Sequence, residues 1–236
     1  MKISLIIPAH NEEKYIASCL EYAIKNSKGK LHEIIVVDNL CTDKTAEVAR
    51  RYPGVKVVRE EKKGTSASRN GGYKIATGDI LAFVDADTRM PEGWVEKIEK
   101  EFSKNPKLAC MSGPYTYYDV SPVENFFIRT YWPLYTAAGA LTECVVIGGN
   151  FAIRKDVLDK MKGFDTSIEF YGDDTDIARR ASEFGKVFFN PFFIMPTSAR
   201  RFKGQGLFKT ASLYVLNFFS QAVLHKSATK KYKDIR

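Results

Sequence analysis

The chain has few cysteines and no long hydrophobic run. Its 236 residues include four cysteines, and none of them forms a CxxC pair: Cys19, Cys41, Cys110 and Cys144. This spacing suggests neither a zinc site nor a disulfide framework, so we expect reduced thiols. The longest apolar stretch near the end, LYVLNFFSQAVL, has about a dozen residues, fewer than the roughly 20 that a membrane-spanning helix needs.

Two further signals are absent. The sequence contains no GxxxxGK[ST] phosphate loop, which disfavours a nucleoside triphosphatase of that class. It opens with a short strand-like run, Met1 to Pro8, followed by the polar AHNEEK, and this is not the basic-then-apolar layout of a signal peptide. We therefore expect a cytoplasmic protein.

Acidic residues are outnumbered by basic ones. The 36 lysine and arginine residues against 28 aspartate and glutamate residues give a formal net charge of +8. This excess favours anionic partners: phosphate-bearing small molecules, acidic membrane surfaces or nucleic acid. A solvated tail and a contact with an anionic membrane both fit the basic final stretch, LHKSATKKYKDIR. No nucleic-acid recognition motif accompanies the charge, so we expect no nucleic-acid partner.

The first half of the chain alternates strand and helix signals. KISLIIP and EIIVVD are short apolar runs typical of parallel strands buried on both faces. The alternation continues through VKVVRE as strand, TSASRNGGYKIA as helix and ILAFVDA as strand, and Pro91 stands in the first turn of the next predicted helix. Helical spacing between the first two strands is shown by Ile16, Cys19, Leu20, Ala23 and Ile24.

After about Leu108 the composition changes. Aromatic residues become frequent, VVIGGNFAIR is typical of a strand entered through a glycine turn, and DDTDIARRASEFG of a capped helix ending at Gly185. No linker separates the halves, so we expect them to share one sheet. The pattern predicts an α/β fold with a doubly wound, mixed and mainly parallel, Rossmann-like sheet flanked by helices, which binds ligands beyond the carboxyl ends of its strands.

Polar clusters follow three of the predicted strands: PAHNEE after the first, DNLCTDKT after the second and DADT after the fourth. Because these strand ends lie at one edge of a parallel sheet, we expect the clusters to converge. Asp85 and Asp87 are two residues apart, which places them on one face of a strand. Alone, such a pair often caps a helix; within a convergent acidic site, it suits Mg²⁺ or Mn²⁺ bridged to a diphosphate.

Five segments resemble, in order and spacing, the family 2 glycosyltransferases of the GT-A fold. They are SLIIPAHNEEKYI, IIVVDNLCTDKT, SASRNGGYKIATGDILAFVDADT, GGNFAIRKDVL and GFDTSIEFYGDDTDIARRASEFGKV. The resemblance covers about Lys2 to Arg201. It implies inverting transfer of a sugar from a nucleotide-diphosphate donor, of UDP or GDP type, to an acceptor. The QxxRW signature of processive members is absent, which argues against a polymerising synthase.

The resemblance also implies a donor site. The residues that match it are Pro8, Ala9, His10, Asn11, Glu12, Asp38, Asn39, Arg69, Asp85, Ala86 and Asp87. Asp87 is implied as the direct metal ligand, and Asp85 as a ligand or a contact to the ribose or metal-bound water. Arg69 matches a basic residue that points into the donor pocket. Asn39 stands where an acid often contacts the base, which leaves the identity of the base open.

The resemblance further implies the catalytic base and the acceptor site. Asp174 matches the general base, the carboxylate that an inverting transfer needs opposite the leaving group. The same acid could instead serve only as part of a helix cap. The acceptor site is matched by Gly148, Gly149, Asn150 and Asp173, and the leaving diphosphate by Arg200, Arg201 and Lys203 in a basic loop.

We expect one GT-A catalytic domain over residues 1–203, with a nucleotide-sugar-binding half at 1–107 and an acceptor-binding half at 108–203. Residues 204–236 are predicted to form an amphipathic C-terminal helix and a basic tail, the layout of an interfacial helix. This C-terminal segment, together with the aromatic stretch from Phe126 to Tyr135, favours peripheral attachment to the inner membrane face. The acceptor is then a polyprenyl phosphate or glycolipid, with a growing glycan as the other choice.

Two other functions stay open. A catalytically silent nucleotide-sugar-binding or membrane-scaffold protein could keep the same fold, but the presence of Asp85, Asp87 and Asp174 disfavours it. A sugar nucleotidyltransferase shares the wound sheet and acidic metal ligands. Such enzymes normally open with a GxGTRL-like loop, which IIPAHNEE does not resemble.

Overall fold

The computed structural model describes residues 1–130, 137, 145–168 and 172–205. Within these ranges the strands are β1 Ile3–Ala9, β2 Glu33–Asp38, β3 Val55–Arg59, β4 Ile80–Val84, β5 Leu108–Ser112, β6 Tyr115–Tyr117, β7 Asn150–Arg154, β8 Lys186–Phe189 and β9 Met195–Thr197. The helices are α1 Ile16–Ser27, α2 Thr45–Arg50, α3 Thr65–Ile75, α4 Trp94–Lys104, α5 Pro122–Arg129, α6 Lys155–Lys160, α7 Asp173–Ser182 and α8 Arg200–Gln205.

Seven strands form one sheet in the order β3-β2-β1-β4-β7-β5-β8. Strand β7 is antiparallel to both β4 and β5, and the other neighbours are parallel. Because β7 lies between β4 and β5, it joins the two halves of the chain in a single sheet. The predicted doubly wound, mixed and mainly parallel sheet is therefore confirmed. Strands β6 and β9 pair in a small parallel sheet, which a bridge between Thr88 and Thr197 connects to the end of β4.

The core consists of two layers, one on each face of the sheet. Alternate residues of β1 point to opposite faces, so Leu5 packs into the layer that contains α1 and α4, and Ile6 into the layer that contains α3 and α7. Strands β2 and β4 are buried along their full length, which explains their unbroken apolar sequences. Each fully buried large side chain, such as Trp94 or Phe83, contributes about 1.5–3 kcal/mol through removal of apolar surface from water.

Several local predictions are wrong. Helix α4 begins at Trp94 and not at Pro91, because Gly93 has a φ of 76° and breaks the helical path just before it. Ile24 keeps 41% of its surface exposed, so the apolar spacing in α1 extends one residue beyond the face that packs on the sheet. Helix α7 ends at Ser182, before Gly185.

The C-terminal predictions are only partly within the described residues. Residues 200–205 form helix α8 where a basic loop is predicted, and the expected boundary between 203 and 204 falls inside this helix. The rest of the predicted amphipathic helix and tail, residues 206–236, lies outside the described part of the chain, as do Tyr131, Trp132 and Tyr135. Among the helices that are described, none combines the length and the apolar character needed to cross a bilayer.

Candidate active site

The loops after β1 and β2 are fastened to each other at the sheet edge. Asn11, which has a positive φ of 54°, accepts a hydrogen bond on Oδ1 from the backbone N–H of Thr42 at 2.8 Å. The N–H of Glu12 donates to Oγ1 of Thr45 at 2.7 Å. Nδ1 of His10 lies 2.6 Å from the backbone oxygen of Asn39. The predicted donor-binding loop, Pro8 to Glu12, is thus held by the loop after the neighbouring strand.

Asp38 and Asn39 are both buried, and their side chains bind the protein itself. Asp38 accepts hydrogen bonds from the N–H of Cys41 and from Nη1 of Arg59, each at 2.9 Å. The Asn39 amide donates to the backbone oxygens of Glu60 at 3.1 Å and Lys62 at 2.7 Å, and its Oδ1 accepts from the N–H of Gly64 at 3.0 Å. The amide hydrogens of Asn39 therefore hold the segment that leads into α3, and only its oxygen retains capacity to contact a nucleotide base.

Arg200 connects two of the predicted donor-site acids. Its terminal nitrogens donate to the two oxygens of Glu12 at 2.7 and 2.6 Å, and its Nε lies 2.9 Å from Oδ2 of Asp87. The hydroxyl of Thr197 donates to the other oxygen of Asp87 at 3.3 Å. Burial, together with the nearby carboxylates of Asp85 and Glu12, raises the pKa of Asp87 to about 6 against the opposing charge of Arg200.

Asp85 lies beside Asp87 but has different partners. Its Oδ2 accepts a hydrogen bond from the Tyr115 hydroxyl at 3.1 Å. The backbone of Gly149 packs on the same oxygen, since a Cβ at this position would lie 2.2 Å from it. Tyr115 and Thr197 were missed in the sequence because both come from the short strands β6 and β9. The frequent aromatic residues after Leu108 were a signal for the region of Tyr115 alone.

The acidic pair fits a small divalent cation that the substrate completes. In the described ranges, no three His, Cys, Asp or Glu side chains converge as a ready-made metal site. Asp85 and Asp87 supply hard carboxylate oxygens, and their mutual repulsion would be relieved by a cation. The backbone of Gly149 packs on Oδ2 of Asp85, and within the described residues no hydrogen-bond partner is found on Oδ1. These residues suit Mg²⁺ or Mn²⁺ with few protein ligands, since Mg²⁺ commonly binds through one or two carboxylates plus substrate phosphates.

The predicted base lies at the start of helix α7. Gly172, with a φ of 93°, precedes the helix, and Asp173, Asp174 and Asp176 occupy its first turn, where the helix dipole favours negative charge. Asp174 is half-buried, and its Oδ1 accepts a hydrogen bond from the N–H of Thr175 at 2.9 Å. Burial, together with the charge of Asp173, raises the pKa of Asp174 to about 7. A carboxylate with this pKa is suited to accept a proton near neutral pH.

Arg69 anchors the neighbouring acid instead of facing open solvent. It is only 2% exposed; Nη1 donates to Oδ2 of Asp173 and Nη2 donates to the backbone oxygen of Gly148 at 2.6 Å. Its guanidinium lies 5.5 Å from the centre of the Phe151 ring. Burial raises the pKa of Asp173, and Arg69 opposes that shift. The terminal nitrogens of Arg69, which were predicted to point into the nucleotide-sugar pocket, thus bind Asp173 and Gly148 of the protein itself.

The other predicted residues divide between the site and its support. The side chain of Asn150 is fully buried, accepts from Trp94 Nε1 at 2.9 Å and donates to the backbone oxygen of Phe193 at 2.6 Å, so it offers no surface to an acceptor. The charge of Arg201 acts on Asp87 and lowers its pKa. Lys203 contacts Asp119, which also accepts from the N–H of Ala199 at 2.7 Å and so secures the entry to α8.

Comparisons with known proteins show the family to which this chain belongs. Residues 4–162 match the sequence profile described as "Glycosyl transferase family 2". The chain therefore belongs to glycosyl transferase family 2. The matched range contains Asp85, Asp87 and Gly149, whereas Asp174 and Arg200 lie beyond it, so their roles rest on geometry and on the resemblance described above.

Two curated relatives share part of their length with the chain. A dolichol-phosphate mannosyltransferase of Pyrococcus furiosus is 32% identical over 171 residues, which are 70% of this chain and 45% of that protein. The glycosyltransferase AglE of Haloferax volcanii is 36% identical over 101 residues, 40% of this chain and 33% of that protein. The chain thus covers less than half of either relative.

Solved structures of the same fold contain nucleotide ligands and Mn²⁺. The mannosyltransferase PcManGT of Pyrobaculum calidifontis, in complex with GDP-Man and Mn²⁺, superposes with a TM-score of 0.73 at 20% identity, covering 97% of this chain and 66% of that one. Glucosyl-3-phosphoglycerate synthase of Mycobacterium tuberculosis, with Mn²⁺, UDP and phosphoglyceric acid, gives 0.64 at 20% identity, covering 95% and 78%. These similarities establish the GT-A-like fold.

Proposed function

We propose that the chain transfers a sugar, with inversion at the anomeric carbon, from a nucleotide-diphosphate sugar to an acceptor. The observation that carries this proposal is that the turn at Gly148 and Gly149 contacts Asp85 directly and is linked through Arg69 to Asp173. Gly148 accepts a hydrogen bond from Arg69, the partner of Asp173, while Gly149 packs on Asp85. The predicted base, Asp174, follows Asp173 directly. The charge of Asp85 also raises the pKa of Asp173, which supports a common site for the predicted metal ligands and the predicted base.

The roles of the side chains follow from this arrangement. A Mg²⁺ or Mn²⁺ ion, held by Asp87 and Asp85, would supply Lewis-acid stabilisation of the charge that develops on the leaving diphosphate. Arg200 and Arg201 lie close enough to Asp87 to act on its charge and would hold the diphosphate oxygens. Asp174 would take a proton from the attacking group: from an acceptor hydroxyl, or from the singly protonated form of a phosphate monoester, whose second pKa is about 6.

We propose a lipid-linked phosphate as the acceptor and a peripheral position at the inner face of the cell membrane. The first argument is the named activity of the Pyrococcus furiosus relative, a dolichol-phosphate mannosyltransferase. The second is that α5 presents two large apolar side chains to solvent, Val123 and Phe126, each 65% exposed. The mycobacterial structure contains phosphoglyceric acid, so a soluble phosphate-bearing molecule is the second candidate acceptor.

The proposal is tested in two stages with the purified chain. Thermal shift against GDP-, UDP- and dTDP-sugars with Mn²⁺ identifies the donor, because a ligand that binds only the folded state raises the melting temperature. The identified donor is then incubated with polyprenyl phosphate in detergent, and product is measured together with the released nucleoside diphosphate. Binding of a donor without turnover on lipid, phosphoglycerate or glycan acceptors would favour a silent binding protein. Absence of any donor binding would refute the proposal.

A further inference from the structure

Tyr115 and Gly149 hold the carboxylate of Asp85 from two sides. The Tyr115 hydroxyl donates to Oδ2 of Asp85 at 3.1 Å. No other described residue donates a hydrogen bond to this carboxylate. A Cβ built on Gly149 would lie 2.0 Å from the Tyr115 oxygen and 2.2 Å from Oδ2 of Asp85. Real Cβ atoms do not approach other atoms so closely. The Gly149 backbone is therefore packed directly against this hydrogen bond.

The Tyr115 hydroxyl is fixed in place by its own strand. Tyr115 is the first residue of β6 and pairs with Met195 of β9, and its ring packs against the core layer of α1 and α4. The ring also contacts that of Tyr117 edge-on, with 6.5 Å between the ring centres. The hydroxyl that this ring carries is the donor to Asp85, because an ionised carboxylate offers only acceptor oxygens.

We propose that Tyr115 is a positioning residue for the metal and donor site, which acts by committing one oxygen of Asp85 and presenting the other to the ligand. This inference rests on the proposed function, because that function places Asp85 in the donor site. A carboxylate without such a partner rotates about its last bond and presents its oxygens in several orientations. The phenol removes this freedom before the ligand arrives, and Gly149 is the residue whose small size permits the contact.

The first test is Tyr115→Phe, which keeps the ring and removes only the hydroxyl. Binding of Mn²⁺ alone is measured by calorimetry, and the Mn²⁺ concentration for half-maximal transfer is measured with the donor at saturation. We expect Mn²⁺ affinity about tenfold weaker, because loss of a group that orients a metal ligand typically costs 10–100-fold. We expect a smaller effect on kcat than on the Mn²⁺ requirement.

Tyr73→Phe is the matched control. The Tyr73 hydroxyl donates to Oδ1 of Asp159 at 2.6 Å, so this variant also removes a phenol–aspartate hydrogen bond, but on the surface of α3 and α6. It should bind Mn²⁺ as the wild type does. Equal weakening in both variants would show a general loss of stability and overturn the inference. So would wild-type Mn²⁺ binding by a Tyr115→Phe protein whose melting curve shows that it is folded.

A double-mutant cycle separates positioning from simple packing. Gly149→Ala should weaken Mn²⁺ binding more than Tyr115→Phe does, since the added methyl group strikes both the phenol and the carboxylate. In Tyr115→Phe with Gly149→Ala, the missing hydroxyl removes one of the two clashes of that methyl group, so the loss should be smaller than the product of the two single effects. Strict additivity would overturn the three-residue arrangement. Absence of donor binding and transfer in the wild type would instead refute the proposed function.

Discussion

Nε of Arg200 lies 2.9 Å from Oδ2 of Asp87, the predicted metal ligand. The guanidinium also forms a two-pronged contact with Glu12, and its centre lies 4.6 Å from the centre of the Tyr15 ring. Arg200, together with Arg201, thus supplies positive charge to this acidic edge. Because metal and diphosphate would occupy the same region, the residue should affect metal binding and turnover in opposite directions.

Arg200→Met should strengthen the binding of Mn²⁺ alone and weaken transfer. Without the guanidinium, the ion no longer competes for Oδ2 of Asp87, and one charge-assisted hydrogen bond of about 1.5 kcal/mol corresponds to roughly a tenfold change in affinity. Turnover should fall because the leaving diphosphate loses a cation. Calorimetry with Mn²⁺ and steady-state kinetics measure the two effects.

Arg51→Met provides the comparison for this charge change. Arg51 pairs with Glu47 on the exposed surface of α2, so the variant loses the same net charge far from the acidic edge. Both Mn²⁺ affinity and turnover should stay at their wild-type values. A parallel loss of Mn²⁺ binding and turnover in Arg200→Met would contradict the proposed competition.

Asp87→Ala and Asp85→Ala should differ in what they remove. Asp87→Ala should abolish metal-dependent turnover, since it removes the direct ligand and leaves Arg200 with Glu12 alone. Asp85→Ala should weaken donor binding as well as turnover, because this side chain is assigned both to the metal and to the ribose or metal-bound water. Donor affinity by thermal shift, with and without Mn²⁺, distinguishes the two. Equal donor affinity in the Asp85→Ala variant and the wild type would remove the second assignment.

Asp174→Asn should reduce kcat by about 10²- to 10⁴-fold, the usual contribution of a positioned general base. Donor binding should be retained, because the side chain hydrogen-bonds only to the N–H of Thr175 within the described part of the chain. The decisive measurement is kcat at saturating donor and Mn²⁺, beside a thermal shift with donor alone. Unchanged kcat would exclude Asp174 as the base, and a lost donor shift would assign it to binding.

The pH dependence of turnover follows from the raised pKa of Asp174. A base works in its ionised form, so log kcat should rise with pH and level off above about 7. Stability has the opposite sign: a carboxyl whose folded pKa is raised stabilises the protein below its ordinary pKa, and this contribution is lost as pH rises through about 7. Asp174→Asn should abolish the rise of log kcat with pH below about 7. If the rise persisted in that variant, another group would be responsible for it.

The fold was largely predictable because its strands are buried on both faces. Strands β1, β2 and β4 need apolar residues throughout, and such runs are legible without any knowledge of neighbours. The place of β7 was not predictable, because pairing between β4 and β5 is decided by the whole sheet and not by the local sequence. The start of α4 was misjudged since the conformation of Gly93 overrode the preference of Pro91 for a first turn.

The part of the candidate site that could be predicted is the convergence of loops at the sheet edge. The convergence of the loops after β1 and β2 followed from strand order, and the structure shows the two loops joined. The contacts of Asp85 with Tyr115 and of Asp87 with Arg200 join segments far apart in sequence, which no local pattern encodes. Sequence spacing also does not show whether a side chain is buried. Asn150 follows the glycine turn and was predicted to bind the acceptor, yet its side chain is enclosed in the core.

The buried pair of Arg69 and Asp173 should be far more sensitive to loss of one partner than of both. Their side chains are only 3% and 10% exposed, so Arg69→Met leaves an unpaired buried carboxylate next to Asp174, at a cost of about 3–5 kcal/mol. Arg69→Met combined with Asp173→Asn removes the uncompensated charge and should recover much of that loss. Urea denaturation of both single variants and the double variant measures the coupling. If the double variant were as unstable as the sum of the singles, the pair would contribute through packing alone, and Asp174 would not depend on Arg69 for its electrostatic setting.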